Sequence, residues 1–224
     1  MPALGRAFDY RVPEDLADRV AVGTLVRIEL HGRRVGGWVV QLESQPPEGT
    51  TLRPLAKVTG WGPPEDVMAL ADWAAHRWAG PAVSFLRTAS AARAVTRVPG
   101  PWRPSHPVPV TGDDLAEDAF KGGDRTVVRL APGADRMPLV LAACRRGNAL
   151  IVLPSIDDAQ LLGVRLRRAG VPVAVQPDEW AQARGGATVV GPRSAAWAPM
   201  VDLAAVLVLD EHDEAHKQEQ TPAW

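Results

Sequence analysis

The chain has 224 residues, of which 46% are hydrophobic and 23% charged, a globular balance that excludes wholesale disorder and suffices for one large or two small packed domains. A formal net charge of −1 excludes a global field drawing the molecule to a polyanion, and the single cysteine, Cys144, excludes an internal disulfide framework or a multi-cysteine zinc site. Neither a secretory leader nor a run of about 18 apolar residues is evident, so the expected location is the cytoplasm, with no membrane partner.

From Phe8 to Val58 the text is β-like, with strands expected over Thr24–Leu30 and Trp38–Leu42. His31-Gly-Arg-Arg34 reads as the turn between them, with Gly32 free to take positive φ. Closely spaced strands of this kind predict a small barrel-like sheet. Pro63-Pro-Glu-Asp66 then opens a helix running to about Ala79, where Gly80-Pro81 stops it, and a second short helix covers Ala82 to Ala91. Residues 1–95 thus form a first domain.

Residues 96–123 hold Pro99, Pro101, Pro104, Pro107 and Pro109 and then Gly112, Gly122 and Gly123, which predicts a semi-rigid linker. From 124 to 224 short apolar runs alternate with helical stretches. Strands are expected at Val127–Leu130, Ala149–Leu153, Val171–Val175, Thr188–Val190 and Ala205–Leu209, with helices at 137–146, 157–169, 179–184 and 193–197. Continuous apolar strands separated by helices predict a parallel sheet covered on both faces. The fold class is therefore α/β, preceded by a β-rich domain.

Charge is divided unevenly: residues 1–110 carry 13 basic and 10 acidic side chains, the remainder 12 and 16. This permits a nucleic-acid role for the first half. Only three lysines, Lys57, Lys121 and Lys217, stand beside 22 arginines, a composition that suits a GC-rich genome better than an arginine-rich binding device.

Chemistry in a parallel sheet gathers beyond the carboxyl ends of its strands. Ala131-Pro-Gly-Ala-Asp-Arg-Met137 occupies the place of a phosphate loop, but of the glycines, lysine and hydroxyl that such a loop needs only Gly133 is present. Asp135 puts negative charge where phosphate belongs, and Arg136 and Met137 stand for the lysine and the hydroxyl. At Asp210-Glu-His-Asp213 an acidic pair, Asp210 and Glu211, follows a strand, as in nucleotidases, yet faces no working phosphate loop. His212 and His216 have zinc-protease spacing without the required Glu after the first His, so no metal site is expected. Arg193 and Ser194 end another strand, placed to touch a phosphate or the acidic cluster.

Together these segments resemble the primosomal replication-restart family, PriA. Val189-Val-Gly-Pro-Arg-Ser-Ala-Ala-Trp-Ala-Pro199 is similar to that family's Gly-Thr-Arg-Ser-Ala-Leu-Phe-Ala-Pro stretch. Asp210-Glu-His-Asp213 with Lys217-Gln-Glu-Gln-Thr-Pro222 is similar to its Asp-Glu-Glu-His block and the segment after it. Arg6-Ala-Phe-Asp-Tyr-Arg-Val-Pro13 looks like the start of its 3′-end-binding domain.

The resemblance implies binding of forks, D-loops and 3′ ends of DNA, a partial RecA-like lobe after the linker, and primosome, helicase-loading or single-stranded-DNA-binding proteins as partners near the nucleoid. It carries a nucleotide-holding pocket onto Phe8, Asp9, Tyr10, Gly32 and Arg53, with Arg33 beside them. Phe8 or Tyr10 would stack on a base, Asp9 accept from a 3′ hydroxyl, and Arg53 and Arg33 face phosphates. The same two rings would equally serve the core of a first strand, and Arg33-Arg34 a solvated turn. The family uses ATP, magnesium and zinc. None is expected for this chain, because the loop at 131–137 is degraded and the family's first strand-end Asp is deleted or replaced by Leu209. A winged-helix domain has no room in residues 96–123, and the text looks truncated before a second lobe. Three functions follow: a DNA-binding restart protein without helicase activity, an ATPase using Arg136 and Asp210-Glu211 unconventionally, or a protein-docking scaffold.

Overall fold

The computed structural model describes residues 6–100, 107–122 and 125–217, and the described chain divides between Val98 and Pro99 into two compact units.

The first unit is built on a three-stranded antiparallel sheet of order β2-β1-β3, with β1 at Leu25–Leu30, β2 at Arg33–Trp38 and β3 at Lys57–Gly60. The β1–β2 connection is tighter than the sequence predicts. His31 and Gly32, at φ 48° and 72°, form a two-residue turn that joins Leu30 directly to Arg33. Two successive positive φ values match the right-handed twist of the strands. Arg33 and Arg34 therefore begin the second strand instead of forming the turn, and the strand expected at 38–42 ends at Trp38. The physical reason is that β2 is an edge strand: its exposed positions tolerate arginines, which imitate loop composition. Val26 and Val58 turn inward with Leu55 to form a small core, against which Tyr10, Val12, Leu16, Val20 and Ile28 pack.

Gly23 lets the chain cross itself: at φ 88° a side-chain carbon there would lie 1.7 Å from the carbonyl oxygen of Pro63. Beyond that crossing, α1 (Glu65–Arg77) buries Val67, Met68, Ala71 and Ala74, one helical face, with Glu65 and Asp66 in its first turn and His76 and Arg77 in its last. Helix α2 (Ala82–Ala89) buries Phe85, Leu86 and Ala89. The Trp38 indole N–H donates to Ser90 Oγ at 2.9 Å and Ser90 donates to the Leu86 carbonyl at 2.6 Å, tying sheet to helix.

The second unit departs first from the expected linker. Asp113 accepts from Ala116 N at 3.0 Å and caps α3 (Asp114–Asp118), whose Ala116 packs on Leu139 and Ala142. Arg145 pairs with Glu117 and donates to the Pro109 carbonyl at 2.6 Å, fastening the segment down. Of the predicted linker, residues 101–106 and 123 lie outside the described residues. The strand expected at Val127–Leu130 does not form: Val127 is 95% exposed, and only Val128 and Leu130 reach the neighbouring core.

Helix α4 (Met137–Arg145) then leads into a fully parallel sheet of order β5-β6-β4-β7. Its strands are β4 (Asn148–Val152), β5 (Val173–Val175), β6 (Thr188–Gly191) and β7 (Leu203–Val208). Helices α4 and α5 (Ile156–Arg168) cover one face, with Val140, Leu141, Leu162 and Leu166 against Ile151, Val175 and Val190. On the other face α6 (Trp180–Arg184) and the 3₁₀ turn Arg193–Trp197 bring Ala183 and Ala195 against Leu150, Val152 and Val189. Ser155 caps α5 by accepting from Asp158 N at 3.1 Å. The central strands β6 and β4, and the edge strand β5 beside them, are apolar and buried, as a parallel sheet between helices demands.

Candidate nucleic-acid interface

In the first unit the chain from Phe8 runs beside residues 51–55. Arg11 N donates to the Arg53 carbonyl at 2.9 Å and Leu55 N to the Arg11 carbonyl at 3.0 Å, a short parallel bridge. This pairing opens a shallow cleft of about 200 Å³ lined by Phe8, Asp9, Tyr10, Thr51 and Arg53. Four of the six residues singled out as DNA-contacting in the sequence thus share one cavity, although 43 positions of sequence separate Tyr10 from Arg53.

The two aromatic residues divide their labour. Tyr10 is half-buried against the Val26–Leu55–Val58 core, and its hydroxyl donates to the Glu29 carbonyl on β1 at 2.9 Å. It is a wall, held at both ends. Phe8 is 40% exposed, and the Arg6 guanidinium carbon lies 5.8 Å from its ring centroid, within cation–π range. Phe8 is therefore the ring available for a base. Asp9 is exposed and makes no ion pair among the described residues. Arg53 Nη1 stands 3.8 Å from Glu29 Oε1, with both side chains more than half exposed.

Gly32 and Arg33 do not line this cleft; they sit at the hairpin end, with Arg33 opposite Leu30 and Arg34 opposite Glu29. Sequence reasoning missed Thr51, Glu29 and Arg6. Thr51 and Glu29 reach the site only through the fold, and neither lies in a motif. Arg6, two positions before Phe8, was legible as a neighbouring cation.

At the carboxyl ends of the parallel strands, Gly133 sits in a tight turn closed by Ala134 N to the Ala131 carbonyl at 3.1 Å. Arg136 pairs with Asp210, and Arg165 with Asp135 at 3.0 Å. Asp135 also accepts from Met137 N at 3.2 Å, at the start of α4. That backbone bond first, and Arg165 second, hold its carboxyl below the usual range. His216 lies in a 3₁₀ turn with Nε2 2.9 Å from the Leu209 carbonyl. Among the described residues no cluster of three or more His, Cys, Asp or Glu is spaced to hold a metal.

Residues 1–91 match the family model of the PriA 3′ DNA-binding domain. Over 99% of its length the chain is 30% identical to the probable replication restart protein PriA of Mycobacterium leprae. The same identity and share hold for the probable PriA of Mycobacterium tuberculosis H37Rv. Residues 1–91 belong to the PriA 3′ DNA-binding domain family, and the chain as a whole is similar to PriA over nearly all of its length. It spans about 40% of the length of these PriA relatives. The entire cleft lies within the PriA-type 3′ DNA-binding domain, from Phe8 to Arg53. Of the likeness to PriA near the C-terminus, Asp210–Asp213 is described, whereas residues 218–222 lie outside the described residues.

The nucleotide and magnesium that the PriA resemblance implies do not fit residues 131–137. A carboxylate, Asp135, already takes a backbone N–H at the start of α4, where a phosphate would need it, and Arg136 is engaged by Asp210. No lysine or hydroxyl side chain stands in the loop.

Proposed function

We propose that this chain recognises branched DNA by gripping a free 3′ end in the cleft of Phe8, Asp9, Tyr10 and Arg53, without helicase activity. The carrying observation is that these four side chains, scattered in sequence, line one cavity inside a PriA-type 3′ DNA-binding domain. A base stacks on exposed Phe8, the 3′ hydroxyl donates to Asp9, and Arg53 meets the preceding phosphate. Gly32 and Arg33, at the hairpin end, serve the backbone further along the strand.

The α/β unit acts as a scaffold that neither binds nor hydrolyses ATP, because its own ion pairs engage the loop. Forks and D-loops as substrates, and helicase-loading or single-stranded-DNA-binding proteins as partners, belong to the same reading. The 30% identity to probable replication restart proteins supports it.

Fluorescence anisotropy on forked DNA tests it, comparing a free 3′ hydroxyl with a 3′ phosphate, with and without ATP. The expected outcome is tighter binding of the hydroxyl end, unchanged by ATP. Equal affinity for the two ends would overturn the cleft's role and leave protein docking as the better function.

A further inference from the structure

We propose that Glu29 is a specificity-determining residue of the cleft, setting it against strand ends that carry a terminal phosphate; this rests on the 3′-end reading above. Glu29 lies on β1, exposed, and meets the cleft in two ways. Its main-chain carbonyl accepts the Tyr10 hydroxyl at 2.9 Å, fixing one wall. Its carboxylate stands 3.8 Å from Arg53, the guanidinium that lines the cavity.

Charge then decides what the cleft tolerates. Arg53 faces Glu29 at 3.8 Å, Asp9 lines the cleft without an ion pair among the described residues, and Arg34 lies opposite Glu29 across the hairpin. A hydroxyl end brings only the phosphodiester charge common to both substrates, whereas a terminal phosphate adds roughly 1.5 to 2 negative charges. With Glu29 ionised, Arg53 is partly neutralised and Asp9 faces the newcomer with a like charge. A hydroxyl, by contrast, offers Asp9 a hydrogen bond. Removing the Glu29 charge frees Arg53 for the added phosphate. The gain falls mainly on the phosphorylated end.

Glu29→Gln is a clean probe, because the Tyr10 bond is to the main chain and survives the substitution. Glu65→Gln makes the same charge change at the start of α1, on a residue that lines no part of the cleft. Anisotropy titrations would use the full chain and forks ending in 3′ hydroxyl or 3′ phosphate. E29Q is expected to tighten the phosphate end about two- to fivefold, the effect of one exposed unit charge at close range. The hydroxyl end should tighten less, so that selectivity narrows, while E65Q leaves it unchanged.

If wild-type protein discriminates and E29Q keeps the same ratio, or shifts both ends equally, the role of Glu29 is overturned and the 3′-end cleft stands. If wild-type protein shows no preference between the ends, the 3′-end reading falls and Glu29 falls with it.

Discussion

Two aromatic residues, two positions apart, have opposite duties, and substitution separates them. Phe8 is exposed and lines the cleft, so Phe8→Ala should weaken 3′-end binding by about 1–3 kcal/mol, the worth of one base–aromatic stack, with an unchanged melting temperature. Tyr10 packs on the Val26 core and donates to Glu29, so Tyr10→Phe should cost about 1 kcal/mol of stability, visible as a lower melting temperature, with a smaller effect on affinity. Paired anisotropy and thermal melts check both; a large stability loss in Phe8→Ala would contradict this division. From sequence either ring could stack or pack, because strand alternation does not say which way the first of two aromatics turns once the segment pairs at only one bridge. Burial decides it.

The elements themselves were legible where local pattern and packing agree. Both helices of the first unit follow Pro-rich starts and apolar faces, and β4, β5 and β6 are continuous apolar runs between turns. Two misplacements share a cause. Val127–Leu130 has strand composition but finds no partner strand, and Arg33–Gly36 has loop composition but pairs with Arg27 to Leu30 across a two-residue turn; pairing is a tertiary fact that composition only suggests. Helix α3 was hidden by the surrounding prolines and glycines, although Asp113 marks its cap. The hairpin is testable by itself. Gly32→Ala meets no steric clash yet keeps φ near 72°, so it should cost about 1 kcal/mol through backbone strain alone. A urea midpoint equal to that of the wild type would mean that the turn relaxes to another type.

At the scale of the whole molecule, the two units differ in how their charged groups are engaged. The cleft of the first unit is lined by aromatic, carboxylate and guanidinium residues, whereas in the second unit Arg136 pairs with Asp210 and Asp135 with Arg165. Those ion pairs give the loop a structural role with a pH signature. The Asp135 carboxyl is depressed in the folded protein, so its contribution is present above its unfolded pKa of 3.8 and is lost as pH falls through the lower folded value. Because the group is largely exposed, Asp135→Asn should cost only a few tenths of a kcal/mol at neutral pH and nothing once pH has fallen below the folded value.

The decisive comparison is with nucleotide. A ligand present at about 100 times its dissociation constant raises stability by about 2.7 kcal/mol, so millimolar ATP with magnesium would shift the melting temperature by several degrees if the loop held it in the ten-micromolar range. The expected shift is nil, in wild type and in Asp135→Asn alike, because removing one charge restores neither the lysine nor the hydroxyl that a phosphate loop uses. A shift in Asp135→Asn alone would mean that a single carboxylate, and not the missing residues, keeps nucleotide out.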